Sequence, residues 1–343
     1  MYFKDKTILV TGGTGSMGGQ LVRRILTGEQ GMPRKVIVFS RDEAKQHDMR
    51  VALSKQKKTV TDEKIYSNFM QRLEFRIGDV RRYADVCGAV RDADVVINAA
   101  ALKQVPTCEY FPEQAVQTNC CGVSNIVRAI NENRFPVETV IAISTDKACK
   151  PINVMGMTKA IQERIAISAN ILNPGTRFIA VRYGNVMASR GSVIPLFVEQ
   201  ISRGGPVTVT LPEMTRFLMS IDEAVDTVFA AAEGALPGEI YIPIAPSSTV
   251  MDLARAMIGD RPIDINVVGI RPGEKIHEVL VSAEEAYNTV RRGDYYVIRP
   301  MLPELRRDEA PAEPPFSGEF SSHQAIVPLP EVAALLRKHR LIR

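Results

Sequence analysis

Residues 144–159 read STDKACKPINVMGMTK and set several chemically useful side chains close together. Thr145, Asp146 and Lys147 present a hydroxyl, a carboxyl and an amine in direct succession, and Lys159 adds a second amine. A carboxyl beside an amine can divide a reaction between a general acid and a general base, if burial and charge set their protonation states. With Lys159 nearby and ligands above it, the Lys147 amine is expected to titrate below its ordinary value, and a buried Asp146 is expected to keep its proton. Met155, four residues before Lys159, is a thioether that neither gives nor takes a proton. Either the neighbours do the acid–base work or this stretch is no active site. The plainer alternatives are a surface ion pair for Asp146-Lys147 and core packing for Met155.

Strand-like apolar runs at 7–10, 36–39, 73–76, 95–98, 139–143 and 178–181 alternate with segments of helical spacing such as Leu21-Val22-Ile25 and Ala160-Ile161-Ile165-Ala166. Strands separated by helices imply βαβ units, and strands without polar alternation imply a sheet covered on both faces. The expected fold class is therefore α/β, a doubly wound parallel sheet of the Rossmann type over residues 1–183. In such a sheet Asp146-Lys147 lies just past the fifth strand, at the carboxyl edge where ligands bind. After residue 183 short strand-like pieces at 207–210, 239–242 and 263–268 alternate with Pro and Gly. They suggest a second, smaller α+β substrate-binding domain over 184–299, with a helix at 221–232 packing back on the first domain. Residues 300–343 form the expected tail, Pro-rich at 300–315 and helical again at 329–338. The long polar connector 55–70 reads as a surface insertion.

The first strand runs into TGGTGSMGG. Gly13, Gly15 and Gly18 fit a G-x-G-x-x-G frame, and Gly12, Gly15 and Gly18 fit G-x-x-G-x-x-G. Glycines there permit a tight turn, close approach of backbone to a pyrophosphate and a helix N-terminus aimed at phosphate. With Thr14, Ser16 and Met17 they form the expected dinucleotide cradle. The second strand ends in Ser40-Arg41, with Lys45 a turn later, where an acidic residue would instead hold a ribose hydroxyl. A hydroxyl and two cations suit a 2′-phosphate and favour NADP; the alternative is that Arg41 and Lys45 pair with Asp42. Asp79-Val80 after the third strand could meet the adenine, and the small Ala99, Ala100 and Ala101 after the fourth could let a cofactor lie against the backbone.

The 343 residues carry a net charge of +4, with 45% hydrophobic and 24% charged residues, as in a globular chain with a full core. That charge, without a dense basic run, speaks against nucleic acid. No stretch reaches the ~18 apolar residues of a membrane span, and the short N-terminal apolar run does not read as a signal peptide. Five Cys without a CxxC pair and four His speak against zinc; reduced thiols in the cytoplasm are the simplest reading, with Cys149 as packing.

Taken together, TGGTGSMG, FSRDEAKQ, IGDVR, AAALKQVP, STDKA, NVMG, RYGNVMASRGSVIPLF, MTRFLMS and GIRPGEKIHE resemble the nucleotide-sugar 4,6-dehydratases of the extended short-chain dehydrogenase/reductase class that act on UDP-N-acetylglucosamine. The resemblance spans about residues 5–300 and is nearest to the soluble inverting subgroup, which begins pseudaminic acid and related deoxy-sugar synthesis. Three features depart from the pattern. The 55–70 insertion is long, Asn98 stands where a His is common, and Met155 replaces the Tyr of a YxxxK motif, as in some family members.

The resemblance implies NADP-mediated oxidation at C4, loss of water across C5 and C6, and return of the hydride to C6. It assigns Lys147 as the C5 base, Asp146 as the C6 acid and Thr145 as partner of the C4 oxygen. Lys159 would hold the nicotinamide ribose and take the C4 proton. Lys103, Asn185, Ser192, Val193, Thr215, Arg216, Arg271 and Glu274 would grip the UDP-sugar, the two Arg on the diphosphate. A 4-epimerase or 4-ketoreductase of the same fold, or an inactive NADP-binding regulatory protein, are the competing readings. Apolar residues on helices 113–133 and 153–171 imply a homo-oligomer, a dimer or hexamer.

Overall fold

The computed structural model describes residues 1–55, 65, 68–187, 192–306 and 313–342. Most of the expected insertion, part of the RYGNVMASRGSV block and the middle of the Pro-rich segment lie outside the described residues.

Six parallel strands follow the apolar runs: β1 (Thr7–Thr11), β2 (Lys35–Ser40), β3 (Leu73–Ile77), β4 (Val95–Asn98), β5 (Thr139–Ile143) and β6 (Arg177–Val181). Every residue of β1, β4 and β5 is buried, as a sheet with helices on both faces requires. One face packs on the helices Ser16–Thr27 and Ile221–Gly234, the other on Tyr83–Val90 and Gly122–Asn133.

The chain then builds the smaller unit from β7 (Val207–Val209), β8 (Thr215–Phe217), β10 (Ser247–Thr249), β11 (Ile265–Val267) and the helices Val193–Ser202 and Val250–Ile258. These close over Phe197, Leu253 and Met257, and the final helix Leu329–Lys338 adds Val332 and Leu336 to the same core. The tail thus wraps on the second unit. A further strand pair, β12 (Val279–Val281) with β15 (Phe320–Ser321), fixes the segment that follows the RPGEK turn.

The linear boundary at 183/184 does not hold in space. The strand expected near 239–242 is β9 (Ile240–Pro243). It is buried throughout and pairs parallel to β6, while the hairpin of β13 (Thr289–Arg292) and β14 (Tyr295–Ile298) continues antiparallel from it. The large sheet, among the described residues, therefore runs β13-β14-β9-β6-β5-β4-β1-β2-β3. A fully apolar IYI needs cover on both faces, and the large sheet supplies it.

Candidate active site

A cleft of about 950 Å³ opens between the carboxyl ends of the parallel strands and the smaller unit. Gly12, Gly15, Ser16, Met17, Gly18, Ala99, Ala101, Lys103, Thr145, Asp146, Lys147, Met155 and Lys159 line it from the large sheet. Asn185, Ser192, Val193, Arg216, Arg271 and Glu274 line it from the other side. The glycine turn has the shape a dinucleotide needs. Gly12 has φ of +64°, and a Cβ there would come within 2.8 Å of Ala100, so the first turn lies directly on the AAA segment. Gly18 sits so close to Gly12 and Gly13 that only a residue without a side chain lets the helix start there.

The second-strand tip divides. Lys45 is exposed and its amine pairs with Asp42 at 2.6 Å, as the alternative reading had it. Arg41 is exposed and acts on Asp42 and Asp79 through its charge. Asp79 is held by Arg81 at 2.5 Å and Val80 is buried; neither they nor Thr14, Ser40, Arg41, Lys45 or Ala100 lines the cleft itself. Thr215 needs a correction. Its hydroxyl is fully buried between His277 Nδ1 at 2.8 Å and Ser322 Oγ at 2.6 Å, so it locks β8 to the tail and does not reach the cleft.

The turn after β5 is a short 3-10 helix, Asp146–Ala148, in which the Thr145 hydroxyl accepts from the Lys147 N–H. Thr145 Oγ1 donates to Asp146 Oδ1 at 2.8 Å, and Lys147 Nζ donates to the same oxygen at 3.1 Å. Lys147 also reaches Glu278 Oε1 at 3.0 Å. Burial, then the anionic Glu278, raises the Asp146 carboxyl above its ordinary value, the direction the role of an acid requires. The expectation for Lys147 is reversed. Burial pulls its ammonium down, but Asp146 and Glu278 outweigh that and leave it above the usual lysine range. Glu278 lies 131 residues away in sequence and carries no local signal; only its place at the end of GIRPGEKIHE brings it near the motif.

Lys159 is the amine that burial depresses, to about 8. Its Nζ donates to the Ile143 carbonyl and to Gln162 Oε1 at 2.7 Å, two neutral acceptors that do not restore the charge. Met155 is buried with Cys108 and Ala115 and forms an apolar wall of the cleft. Tyr183 also lines the cleft, but burial pushes its phenol well above its ordinary value, which makes it a poor substitute for the missing Tyr. Cys149 is buried, its thiol pushed up to about 12 first by burial, consistent with packing.

Another positioning group escaped the sequence. A π-helical turn, Val116–Cys121, interrupts the helix and aims the buried Asn119 amide at Leu102 N, Leu102 O and Thr158 Oγ1. It ties the AAAL segment to the helix that carries Met155 and Lys159.

Asp146 Oδ2, Asn185 Oδ1, Ser192 Oγ, Glu274 Oε2 and Glu278 Oε2 are buried without a hydrogen-bond partner among the described residues, and their residues all line this one cleft. Buried polar atoms are normally satisfied, so this concentration marks where a polar ligand belongs.

The model of the family described as "Polysaccharide biosynthesis protein" matches residues 8–300. The chain belongs to that family. UDP-glucose 4-epimerase of Rickettsia bellii (strain OSU 85-389) is 46% identical over 301 residues, covering 86% of this chain and 83% of the relative. The X-ray structure of Pen from Bacillus thuringiensis superposes with a TM-score of 0.87 at 33% identity, covering 100% of both chains. DesIV, a dTDP-glucose 4,6-dehydratase from Streptomyces venezuelae with NAD and TYD bound, shares the fold at a TM-score of 0.65 and 21% identity, over 79% of this chain and 86% of its own. The chain is thus a member of the polysaccharide biosynthesis family, related to enzymes named UDP-glucose 4-epimerase, with a Rossmann-type fold. Among the described residues no helix is long and apolar enough to cross a membrane, and no cluster of His, Cys, Asp or Glu could hold a metal ion.

Proposed function

We propose that the chain is an NADP-dependent UDP-N-acetylglucosamine 4,6-dehydratase that inverts C5 and serves deoxy-amino-sugar synthesis. The observation that carries this reading is a buried Asp146, its proton affinity raised by burial, whose Oδ1 lies 3.1 Å from the Lys147 amine and whose Oδ2 has no partner among the described residues, on the wall of a nucleotide-sized cleft. Elimination of water needs both a base at C5 and an acid at the C6 hydroxyl, whereas epimerisation at C4 needs neither.

Gly12, Gly15, Ser16, Met17, Gly18, Ala99 and Ala101 would hold the dinucleotide, with Arg41 toward the 2′-phosphate. When bound, its nicotinamide supplies the hydride acceptor that makes C4 a ketone and the donor that later reduces C6. The side chains do the rest. Thr145 bonds the C4 oxygen, and Lys159, depressed to about 8, takes the C4 hydroxyl proton in place of the absent Tyr. A C4 ketone acidifies the C5 proton, Lys147 removes it, and Asp146 protonates the departing C6 hydroxyl. Met155 keeps the pocket dry. Arg216 and Arg271 would clamp the diphosphate, and Asn185, Ser192, Val193, Glu274 and Lys103 the rest of the UDP-sugar.

The relatives named UDP-glucose 4-epimerase favour a second reading, epimerisation at C4. Incubation with UDP-N-acetylglucosamine separates the two: a product lighter by one water supports dehydration, and an isomer of unchanged mass overturns it. NMR of product made in D₂O then reports the configuration at C5.

A further inference from the structure

One proton in this scheme has no obvious destination. Lys147 must be a neutral amine to act at C5, yet it rests as an ammonium between the Asp146 carboxyl and the Glu278 carboxylate, 3.1 Å from Asp146 Oδ1 and 3.0 Å from Glu278 Oε1. Glu278 is 2% exposed, lines the cleft, and has its own N–H fixed on Ser322 Oγ at 2.9 Å. Its use of its oxygens is unusual for this molecule. Glu239 spends both on Arg292, at 2.6 and 2.7 Å, and Glu163 and Glu285 each engage the buried Arg182 through two oxygens. Glu278 instead shares Oε1 between Lys147 and Arg216 Nε, the latter at 3.8 Å, and leaves Oε2 buried without a partner. A carboxylate kept only to neutralise a cation would be expected to engage it through both oxygens, as Glu239, Glu163 and Glu285 do.

We propose that Glu278 is the acceptor that takes the spare proton of Lys147, and that Arg216 gates this transfer by turning from Glu278 to the diphosphate of the bound nucleotide sugar. The proposal rests on the dehydratase reading. In the step an N–H bond of the Lys147 ammonium breaks, its electron pair stays on nitrogen, and an O–H bond forms on Glu278. Ion pair becomes neutral pair, and no charge leaves the cleft.

The charges around Glu278 explain why substrate is needed. Burial favours its protonated form, but Lys147 from the catalytic turn, Arg216 from β8 and Lys275 from its own loop hold it anionic, against Asp146 on the other side. A diphosphate on Arg216 takes up one of those cations, and a filled cleft excludes water; both changes raise the proton affinity of Glu278. The same event arms the acid. Its own burial and the negative charge of Glu278 both raise the proton affinity of Asp146. Once Glu278 is neutral that second influence is gone, and Asp146 releases its proton more readily to the C6 hydroxyl. One proton transfer therefore prepares base and acid together.

Glu278→Gln keeps the size of the side chain and an acceptor for Lys147 but cannot take a proton. The expected result with UDP-N-acetylglucosamine is a kcat for water loss lower by about 100-fold, a KM within about threefold, and single-turnover oxidation at C4 largely preserved. Its residual rate should climb with pH by about tenfold per unit, because solvent must now remove the Lys147 proton. Glu278→Asp, which retains a carboxylate, should keep more activity than Glu278→Gln, and formate should partly rescue Glu278→Ala. Near-normal kcat in Glu278→Gln, a loss confined to KM, or equal loss in the Gln and Asp variants without rescue would each overturn the proposal. A wild type that dehydrates beside an unimpaired Gln variant removes the role of Glu278 alone. A wild type that only epimerises removes the dehydratase reading and this proposal with it.

Discussion

Lys159 sits where an ammonium is costly, and the two acceptors it touches are neutral. With its pKa lowered to about 8 by burial, it is protonated at acid pH and becomes a proton acceptor as pH rises through that value. The sign is fixed: kcat/KM should rise with pH along a limb with an apparent pKa near 8, and a flat profile from the acid side through that value would remove Lys159 as the C4 base. Lys159→Ala should abolish turnover. Met155→Leu, a volume-conserving change in an apolar wall, should cost under about 1.5 kcal/mol in stability and keep substantial activity; a folded but dead Leu variant would give the sulfur a role. At the second-strand tip Lys45 is engaged by Asp42, which leaves Arg41 as the residue proposed to set the cofactor preference. Arg41→Ala should weaken NADP⁺ relative to NAD⁺ by ~1–3 kcal/mol, measured as the ratio of dissociation constants. Equal losses would place Arg41 outside the 2′-phosphate site.

At the scale of elements, the site depends on how closely the helix Val154–Leu172 approaches the catalytic turn. Asn153 caps that helix through Gly156 N and also donates to Gly273 O, so one side chain sets both the helix start and the RPGEK loop. A Cβ on Gly156 would collide with the carbonyl oxygen of Lys147. Gly156→Ala must therefore push the turn and the helix apart, with an expected cost of ~1–3 kcal/mol in a urea titration and a fall of about 100-fold in kcat. A variant with wild-type kcat would show that the turn tolerates displacement. This dependence also marks what the sequence could disclose. The large sheet was legible because its strands are continuous apolar runs, and the glycine turn because its spacing is set by backbone approach. The Thr145-Asp146-Lys147 turn was legible because its chemistry lies in adjacent residues. Glu278 and Asn119 act across 131 and 39 residues, and no local pattern announces such a partner. The reversed pKa direction of Lys147 follows from the same gap: the sequence suggested the cationic Lys159 as its neighbour, whereas the distant Glu278 carboxylate lies against it in space. β9 was found but misplaced, since an apolar run states that a strand is buried and not in which sheet.

At the scale of the whole molecule, the return of β9, β13 and β14 to the large sheet means that the two units are joined along several crossings, so the cleft walls come from one interlocked body. Arg182 reinforces this, bridging Glu163 on the long helix and Glu285 beyond β12 in full burial. Such a body has little need of further cover, yet one side remains apolar. Met157 and Ile161, a turn apart on the long helix, are 47% and 49% exposed, and Val116 on the neighbouring π-helical turn is 43% exposed. Tyr110 and Phe111, at the end of the helix Val105–Tyr110, are also exposed. Single exposed apolar residues need no explanation, but several on two adjacent helices resemble half of a helix–helix interface. Two copies joined about a twofold axis would bring each patch against itself, the commonest arrangement for a soluble oligomer. The double change Met157→Glu and Ile161→Glu would then face like charges across the axis. Light scattering of the wild type should report a dimer or a multiple of it, and the double variant a folded monomer. A wild type that is monomeric at assay concentration, or a double variant that assembles unchanged, would show that this face is not where the copies meet.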